Sequence, residues 1–141
     1  MKKCQIKTLV KCVIGEMVEM ALNEAFDLKG NNSGVKFGIT AFEWRTLVEL
    51  IIQVNRTFNL GIKGLGKWHY NTGEGLKTQE ECNKLANALE TLIRGQPYNK
   101  VIKMKKVPEF AARLTKYYKI QVSMIIKFIE FLKKCDGFEI R

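Results

Sequence analysis

The sequence predicts a single α+β domain that is mainly helical, with about five helices and two or three short strands. Apolar residues recur at helical spacing along most of the 141-residue chain, whereas strict alternation is confined to residues 35–39 and 138–141. Two Thr-x-x-Glu sequences, beginning at Thr40 and Thr78, have the spacing of a capping box, at which a helix begins. The length suits one hydrophobic core and therefore one domain over residues 1–141.

The first half of the chain contains two predicted helices with a strand between them. Apolar residues at helical spacing predict a helix over about residues 9–28, and the polar, glycine-rich segment 30–34 ends it. Alternation in residues 35–39 predicts the strand. The second helix begins at Thr40, and apolar residues cover so much of its circumference that we expect it at the centre of the domain.

Three more helices are predicted in the second half of the chain. They begin at Thr78, at Pro108 and at Gln121. Residues 100–107 are basic and weakly patterned, which predicts a linker or an edge strand between the first two of these helices. The turn-forming pair Asp136-Gly137 separates the last helix from the short alternating segment that follows it.

Four cysteines, at positions 4, 12, 82 and 135, are spaced too widely for a zinc knuckle or a thioredoxin-type pair. We therefore expect reduced thiols, no metal site and no cofactor. Charged residues interrupt every apolar stretch, so the sequence predicts neither a signal peptide nor a membrane-spanning helix. These features are typical of a cytoplasmic protein.

The net charge of +10 is unevenly distributed along the chain. Residues 1–11 carry +4 and residues 94–141 carry +8, whereas residues 12–93 carry −2. Two basic ends around a nearly neutral middle favour an anionic partner, which can be a nucleic acid, a membrane surface or an acidic protein. Solvated lysines that keep the protein soluble explain the same charge equally well.

The best candidate site is the 59–77 loop, the segment between the second and third predicted helices. It carries five of the eleven glycines, the only histidine and one of the two tryptophans. Long connections without a periodic pattern tend to be functional or disordered, and the apolar residues of this one favour an ordered loop. The candidate binding residues are Trp68, His69, Tyr70, Asn71, Gly73 and Gly75.

The large side chains of the 59–77 loop have two interpretations. Trp68 and Tyr70 can form a recognition surface beside glycines, or they can fill the core while the glycines make turns. His69 can act in acid–base catalysis if a carboxylate orients it and a nucleophile lies nearby; otherwise it makes structural hydrogen bonds. Residues 61–67 have the glycine and lysine spacing of a phosphate-binding loop, but Trp68 replaces the required Ser or Thr, so we regard the spacing as coincidental.

A basic and aromatic segment, residues 100–119, is the alternative candidate site. Cations that contact phosphates, with rings that stack on bases, are the pattern of single-stranded nucleic-acid binding. The residues concerned are Lys103, Lys105, Lys106, Arg113, Lys116, Tyr117, Tyr118 and Lys119. The segment matches no helix-turn-helix, ribonucleoprotein or zinc-finger motif, and a solvated surface is the competing interpretation.

Two blocks of the sequence carry a resemblance to a known group. Residues 68–76 have the pattern Trp-x-Tyr-Asn-x-Gly-x-Gly-Leu and lead into the helical residues 85–90, and residues 128–132 precede a Gly-Phe-x-Ile sequence at 137–140. In these blocks, about a third of the chain, the sequence resembles an uncharacterised group of small bacterial proteins. That group usually has Asp at the position of Thr72 and a second glycine at that of Asp136. The resemblance implies a bacterial origin and no known activity.

Together these features predict a non-catalytic intracellular accessory protein that binds another macromolecule, most simply a partner protein, through the 59–77 loop. The first alternative is a basic nucleic-acid-associated protein that uses residues 100–119. The second alternative is a small enzyme that uses His69. We expect no membrane partner, and the sequence does not indicate an oligomeric state.

Overall fold

The computed structural model describes residues 25–70, 72–103 and 119–141. Within these ranges the chain forms three α-helices, one 3-10 helix and five strands in two small sheets. In chain order the elements are β1 (Ala25–Gly30), β2 (Lys36–Thr40), α1 (Ala41–Phe58), the 3-10 helix (Leu65–His69), α2 (Gln79–Ile93), β3 (Val101–Lys103), β4 (Lys119–Gln121), α3 (Val122–Leu132) and β5 (Phe138–Ile140). The prediction of a mainly helical protein with about five helices and two or three strands is therefore wrong, and the arrangement is a more even α+β one.

The larger sheet is antiparallel, with β1 between β2 and β5. Its register pairs Phe26 with Ile39 and Leu28 with both Phe37 and Ile140, and these five side chains are buried on one face. The sheet corrects the predicted helix over residues 9–28. Residues 25–28 belong to β1, because apolar residues two apart fit a strand with one buried face and two neighbouring strands pair with them. Residues 9–24 lie outside the described ranges.

Helix α1 is the central element of the core, as its sequence predicts. The Thr40 hydroxyl accepts a hydrogen bond from the backbone N–H of Glu43, so the predicted N-cap is confirmed. Exposed side chains begin only at Arg56 within this helix. The other α-helices pack as a pair, with α2 against both α1 and α3.

Helix α2 begins at the predicted capping box, which is also confirmed. The Thr78 hydroxyl accepts from the Glu81 N–H, and the Glu81 carboxylate accepts from the Thr78 N–H. Gly95, at φ 79°, lies just beyond the helix, where the sequence predicts its end. Helix α3 begins at Val122, one residue from its predicted start, whereas the helix predicted at Pro108 lies outside the described residues.

The smaller sheet is an antiparallel pair of three-residue strands, β3 and β4. Its register aligns Val101 with Gln121, Ile102 with Ile120, and Lys103 with Lys119. Residues 101–103 thus form the strand that was one of two predictions for the basic segment at 100–107. Strand β5 confirms the predicted alternating strand, and the left-handed pair Asp136 and Gly137 makes the turn before it.

Candidate functional site

The 59–77 loop is attached to the end of α1 by the side chain of Asn55. Its amide group donates to the Ile62 carbonyl and accepts from the Ile62 N–H, both at 3.0 Å. The Leu60 N–H donates to the Asn55 carbonyl, and Asn59 adopts the left-handed conformation that ends the helix. One side chain in α1 thereby fixes the first turn of the loop.

A second attachment is the tryptophan pair beneath the 3-10 helix. Trp68 is only 2% exposed, and its ring stacks on Trp44 with centroids 6.3 Å apart. The Trp44 indole N–H donates to the Trp68 carbonyl at 2.6 Å, while the Trp68 ring meets the Phe138 ring edge-on at 5.5 Å. Trp68 therefore fills the core, which favours the structural interpretation of this residue over that of a surface contact.

The third attachment continues the larger sheet beyond β5. Gly73 donates its N–H to the Ile140 carbonyl, Ile140 donates to the Glu74 carbonyl, and Phe138 donates to the Leu76 carbonyl, at 2.7–2.9 Å. Gly75 lies so close to β5 that a Cβ would overlap the Phe138 carbonyl oxygen. The two sequence blocks that carry the resemblance thus pack on each other. This close packing explains why position 75 is a glycine.

His69 is held against α1 by Glu49. Its Nε2 lies 2.9 Å from Glu49 Oε2, and both side chains are about one-fifth exposed. Burial lowers the pKa of His69 below its ordinary value; the Glu49 carboxylate opposes this shift and the Arg45 charge adds to it. The imidazole is therefore neutral at pH 7, with its Nε2–H donated to the carboxylate. Glu49 thus meets the requirement of acid–base catalysis for an orienting carboxylate. The same contact also has a structural role, because it fastens the 3-10 helix to α1.

Tyr70 follows directly and has the opposite environment. Its side chain is 61% exposed, the largest value among the exposed large hydrophobic residues of the described ranges. Lys63 and Lys67 of the same loop are also exposed. Gly73 serves in the pairing with β5, and Asn71 lies outside the described residues. Of the six predicted binding residues, Tyr70 is the large side chain that the fold presents to solvent.

The alternative basic segment is described only at its two ends. Lys103 and Lys119 occupy opposite positions in β3 and β4, so the fold brings together two candidates that are sixteen positions apart. The remaining candidates of this segment, Lys105, Lys106, Arg113, Lys116, Tyr117 and Tyr118, lie outside the described residues.

Sequence reasoning missed the three α1 residues that hold the loop, namely Trp44, Glu49 and Asn55. Glu49 carried a signal, because it is a carboxylate within the apolar run Leu47 to Leu50 of a helix predicted to be central. No sequence signal indicated Trp44 or Asn55, because their hydrogen bonds to Trp68 and Ile62 form only when the loop packs against α1.

Comparison with known proteins does not identify a relative. No family model matches the chain, and neither a curated protein nor a solved structure is significantly similar to it. Among the helices in the described residues, none is long and apolar enough to cross a lipid bilayer. The proposals below therefore depend on the geometry alone.

Proposed function

We propose that this protein is a non-catalytic accessory protein that binds a partner protein through the exposed side of the 59–77 loop, with Tyr70 as its main contact residue. The observation that carries the proposal is that two aromatic residues of the loop, Trp68 and Tyr70, differ in exposure. Trp68 is buried and holds the loop, whereas Tyr70 is 61% exposed two residues later. Tyrosine is enriched among the residues that dominate binding energy at protein interfaces.

The loop is well suited to binding because contacts before and after Tyr70 hold its described residues against the rest of the domain. It is fastened to α1 through Asn55, to the core through Trp68 and to β5 through Gly73. A contact residue on such a support loses less conformational entropy on binding than one on a mobile loop. Pre-organisation of the loop therefore favours recognition through its exposed side.

Charge indicates which partner surface suits the loop. Lys63, Lys67 and Lys77 are exposed on it, and the whole chain carries +10. Positive surfaces steer association with negative ones and disfavour partners of like charge. We therefore infer an acidic surface around the pocket that receives the Tyr70 ring.

A matched pair of variants tests this proposal. Tyr98, in the turn after α2, is 59% exposed, so Tyr70→Ala and Tyr98→Ala remove the same side chain from two equally exposed places. Tagged wild-type protein captures its partner from cells that express both, and the affinity of each variant is then measured with the purified partner. We expect Tyr70→Ala to weaken binding by about 30-fold or more, the size of a hot-spot effect of about 2 kcal/mol.

The Tyr98→Ala control distinguishes a specific contact of Tyr70 from a general effect of removing an exposed tyrosine. Tyr98→Ala should bind like the wild type, and both variants should keep the wild-type melting temperature, because neither ring is buried. Equal affinities of the two variants for the partner would contradict the assignment of Tyr70.

The nucleic-acid alternative remains a second proposal, supported by the register that aligns Lys103 with Lys119. The register places two of the candidate lysines at neighbouring positions of the smaller sheet, and basic residues close together suit a phosphate backbone. If the segment binds single-stranded nucleic acid, the double variant Lys103→Ala/Lys119→Ala should reduce the slope of log K against log salt, by roughly 0.7 for each phosphate that the variant no longer neutralises. Binding that is absent at about 50 mM salt, or a slope that does not change, would reject it.

A further inference from the structure

Two buried thiols meet where α2 begins and α3 ends. Cys82 lies in the first turn of α2 and Cys135 in the turn between α3 and β5, and both are fully buried. Their sulfur atoms are 3.5 Å apart, close enough for a hydrogen bond between the two thiols. They are separated by 53 positions in sequence, so the fold alone creates the pair.

The backbone on both sides of the pair is held in place. The Gln79 amide donates to the Leu132 carbonyl at 2.7 Å and accepts from the Asp136 N–H at 2.8 Å, which bridges the start of α2 and the turn after α3. Asn31 donates to the Asp136 carbonyl at 2.8 Å. The sulfurs, 3.5 Å apart, lie about 1.5 Å beyond the ~2.05 Å length of a disulfide bond, so a small movement of the side chains would join them.

We propose that Cys82 and Cys135 are an oxidation site, at which a peroxide converts the two thiols into a reversible intramolecular disulfide. The pair is a modification site of the fold, and it does not depend on the proposed binding function. Small peroxides are the suitable oxidant, because larger reagents cannot reach two fully buried sulfurs without extensive opening of the structure.

The thiols have several possible hydrogen bonds. Either sulfur can donate to the other at 3.5 Å, and Cys135 Sγ also lies 3.6 Å from the Leu132 carbonyl oxygen. The Cys82 S–H can donate to Cys135 Sγ, and this contact, together with the Gly137 N–H, lowers the pKa of the Cys135 thiol. Acting as the donor raises the pKa of the Cys82 thiol, and burial raises it further. The two thiols thus react as a pair, in which one sulfur attacks first and the other keeps its proton until the second step.

The reaction balances with one peroxide molecule. The thiolate of one cysteine attacks one oxygen of hydrogen peroxide, the O–O bond breaks, and a sulfenic acid and hydroxide form. The proton that this thiol released combines with that hydroxide as the first water molecule. The other sulfur then attacks the sulfur of the sulfenic acid, the S–O bond breaks, and the S–S bond forms. The proton of the second thiol and the hydroxide displaced from the sulfenic acid leave as the second water molecule, so that two thiols and one peroxide give one disulfide and two water molecules.

The cross-link would act on the junction where the 59–77 loop leaves the sheet and α2 begins. A disulfide lowers the conformational freedom of the unfolded chain, and it does so more when it closes a longer loop. Oxidation should therefore raise the melting temperature by roughly 10 °C in a chain of this size. A thiol reductant should reverse that change.

The experiment uses the full chain as Cys4→Ser/Cys12→Ser, which leaves only the pair, and treats it with hydrogen peroxide. We expect the intact mass to fall by about 2 Da, the free thiol count to fall from two to zero, and dithiothreitol to restore both values. Wild-type protein analysed by non-reducing peptide mapping provides the same test if the variant does not fold, and it should yield a peptide pair joined through Cys82 and Cys135.

Single variants separate this proposal from unspecific oxidation. Each single variant is made in the Cys4→Ser/Cys12→Ser background. Neither Cys82→Ser nor Cys135→Ser should then lose 2 Da or gain thermal stability on treatment with hydrogen peroxide. The proposal is overturned if the thiols stay reduced at peroxide levels that oxidise an exposed cysteine, if disulfide-linked dimers form instead, or if the product carries additional oxygen atoms at either cysteine.

Discussion

Two connections of this protein, the 59–77 loop and the turn at residues 94–100, contain similar residues but differ in how they are held. Each follows a long helix, contains glycine and presents a highly exposed tyrosine, Tyr70 in one and Tyr98 in the other. All seven residues of the 94–100 turn are exposed, and two main-chain hydrogen bonds link it to the start of α3. The 59–77 loop instead buries Leu65, Trp68 and Leu76 and is bonded to both α1 and β5.

This difference shows what makes an irregular segment a candidate site. Exposure of a tyrosine does not distinguish the two connections, since Tyr70 and Tyr98 are almost equally exposed. The distinguishing property is the support beneath the exposed ring, which in the 59–77 loop consists of buried aromatic packing and side-chain hydrogen bonds. The predictions below either remove that support or measure it.

The largest expected effect is that of Trp68→Ala. The ring is nearly fully buried between Trp44 and Phe138, so its removal leaves a cavity in the core. We expect the free energy of unfolding to fall by about 3–5 kcal/mol, measured by urea denaturation. Tyr70→Ala in the same assay should cost less than about 0.5 kcal/mol. Similar losses of stability in the two variants would contradict the assignment of Trp68 as the buried, supporting ring and Tyr70 as the exposed ring.

The next effect concerns the packing of Gly75 against β5. An alanine Cβ there would overlap the Phe138 carbonyl oxygen, and a main-chain atom cannot rotate away. We expect Gly75→Ala to cost about 3 kcal/mol. Gly73→Ala is the matched control, because Gly73 also has a positive φ but open space around its Cβ direction, so its cost should be about 1–2 kcal/mol. A smaller destabilisation by Gly75→Ala than by Gly73→Ala would refute close packing against β5.

A smaller effect is expected from the titration of His69. Its pKa is lowered by burial, so the unfolded chain binds a proton more readily than the folded one does. The stabilising contribution of neutral His69 is therefore complete above pH 6.5, the ordinary pKa, and is lost as the pH falls through the folded pKa. Because the chain has one histidine, a single NMR resonance reports the titration.

The Glu49→Gln variant sharpens this test. Glu49 raises the pKa of His69 against the effect of burial, so its replacement should lower the midpoint further. Glu90→Gln is the control, since the Glu90 carboxylate pairs with Lys133 and not with His69. A wild-type midpoint above 6.5 would contradict the dominant effect of burial, and an upward shift in Glu49→Gln would contradict the pairing of Glu49 with His69.

Local sequence signals predicted the elements that local interactions stabilise. Thr40 and Thr78 begin helices as expected, because a capping residue and its partner three positions later lie in one turn. The prediction failed at Phe26 and Leu28, whose spacing fits a helix end as well as a strand. Pairing with Ile39 and Ile140, a long-range property, selects the strand.

The candidate site was predictable in location but not in internal arrangement. Glycine content and unusual length indicated the 59–77 loop, and its described residues are bonded to α1 and to β5. Which ring is buried and which is exposed depends on contacts of Trp68 with Trp44 and Phe138, at 24 and 70 positions away. No local pattern contains that information.

The central claim, that the fold holds the 59–77 loop more firmly than the 94–100 turn, is tested most directly by native-state amide hydrogen exchange. The Gly73 N–H donates to the Ile140 carbonyl of β5, whereas the Lys100 N–H donates to the Pro97 carbonyl of its own turn. Exchange at Gly73 therefore requires the edge of the larger sheet to open, whereas exchange at Lys100 requires only a local fluctuation of the turn. We predict slower exchange at Gly73 than at Lys100 by about tenfold or more, since about 1.4 kcal/mol of additional opening free energy corresponds to that ratio. Equal exchange at the two amides, or faster exchange at Gly73, would contradict the claim.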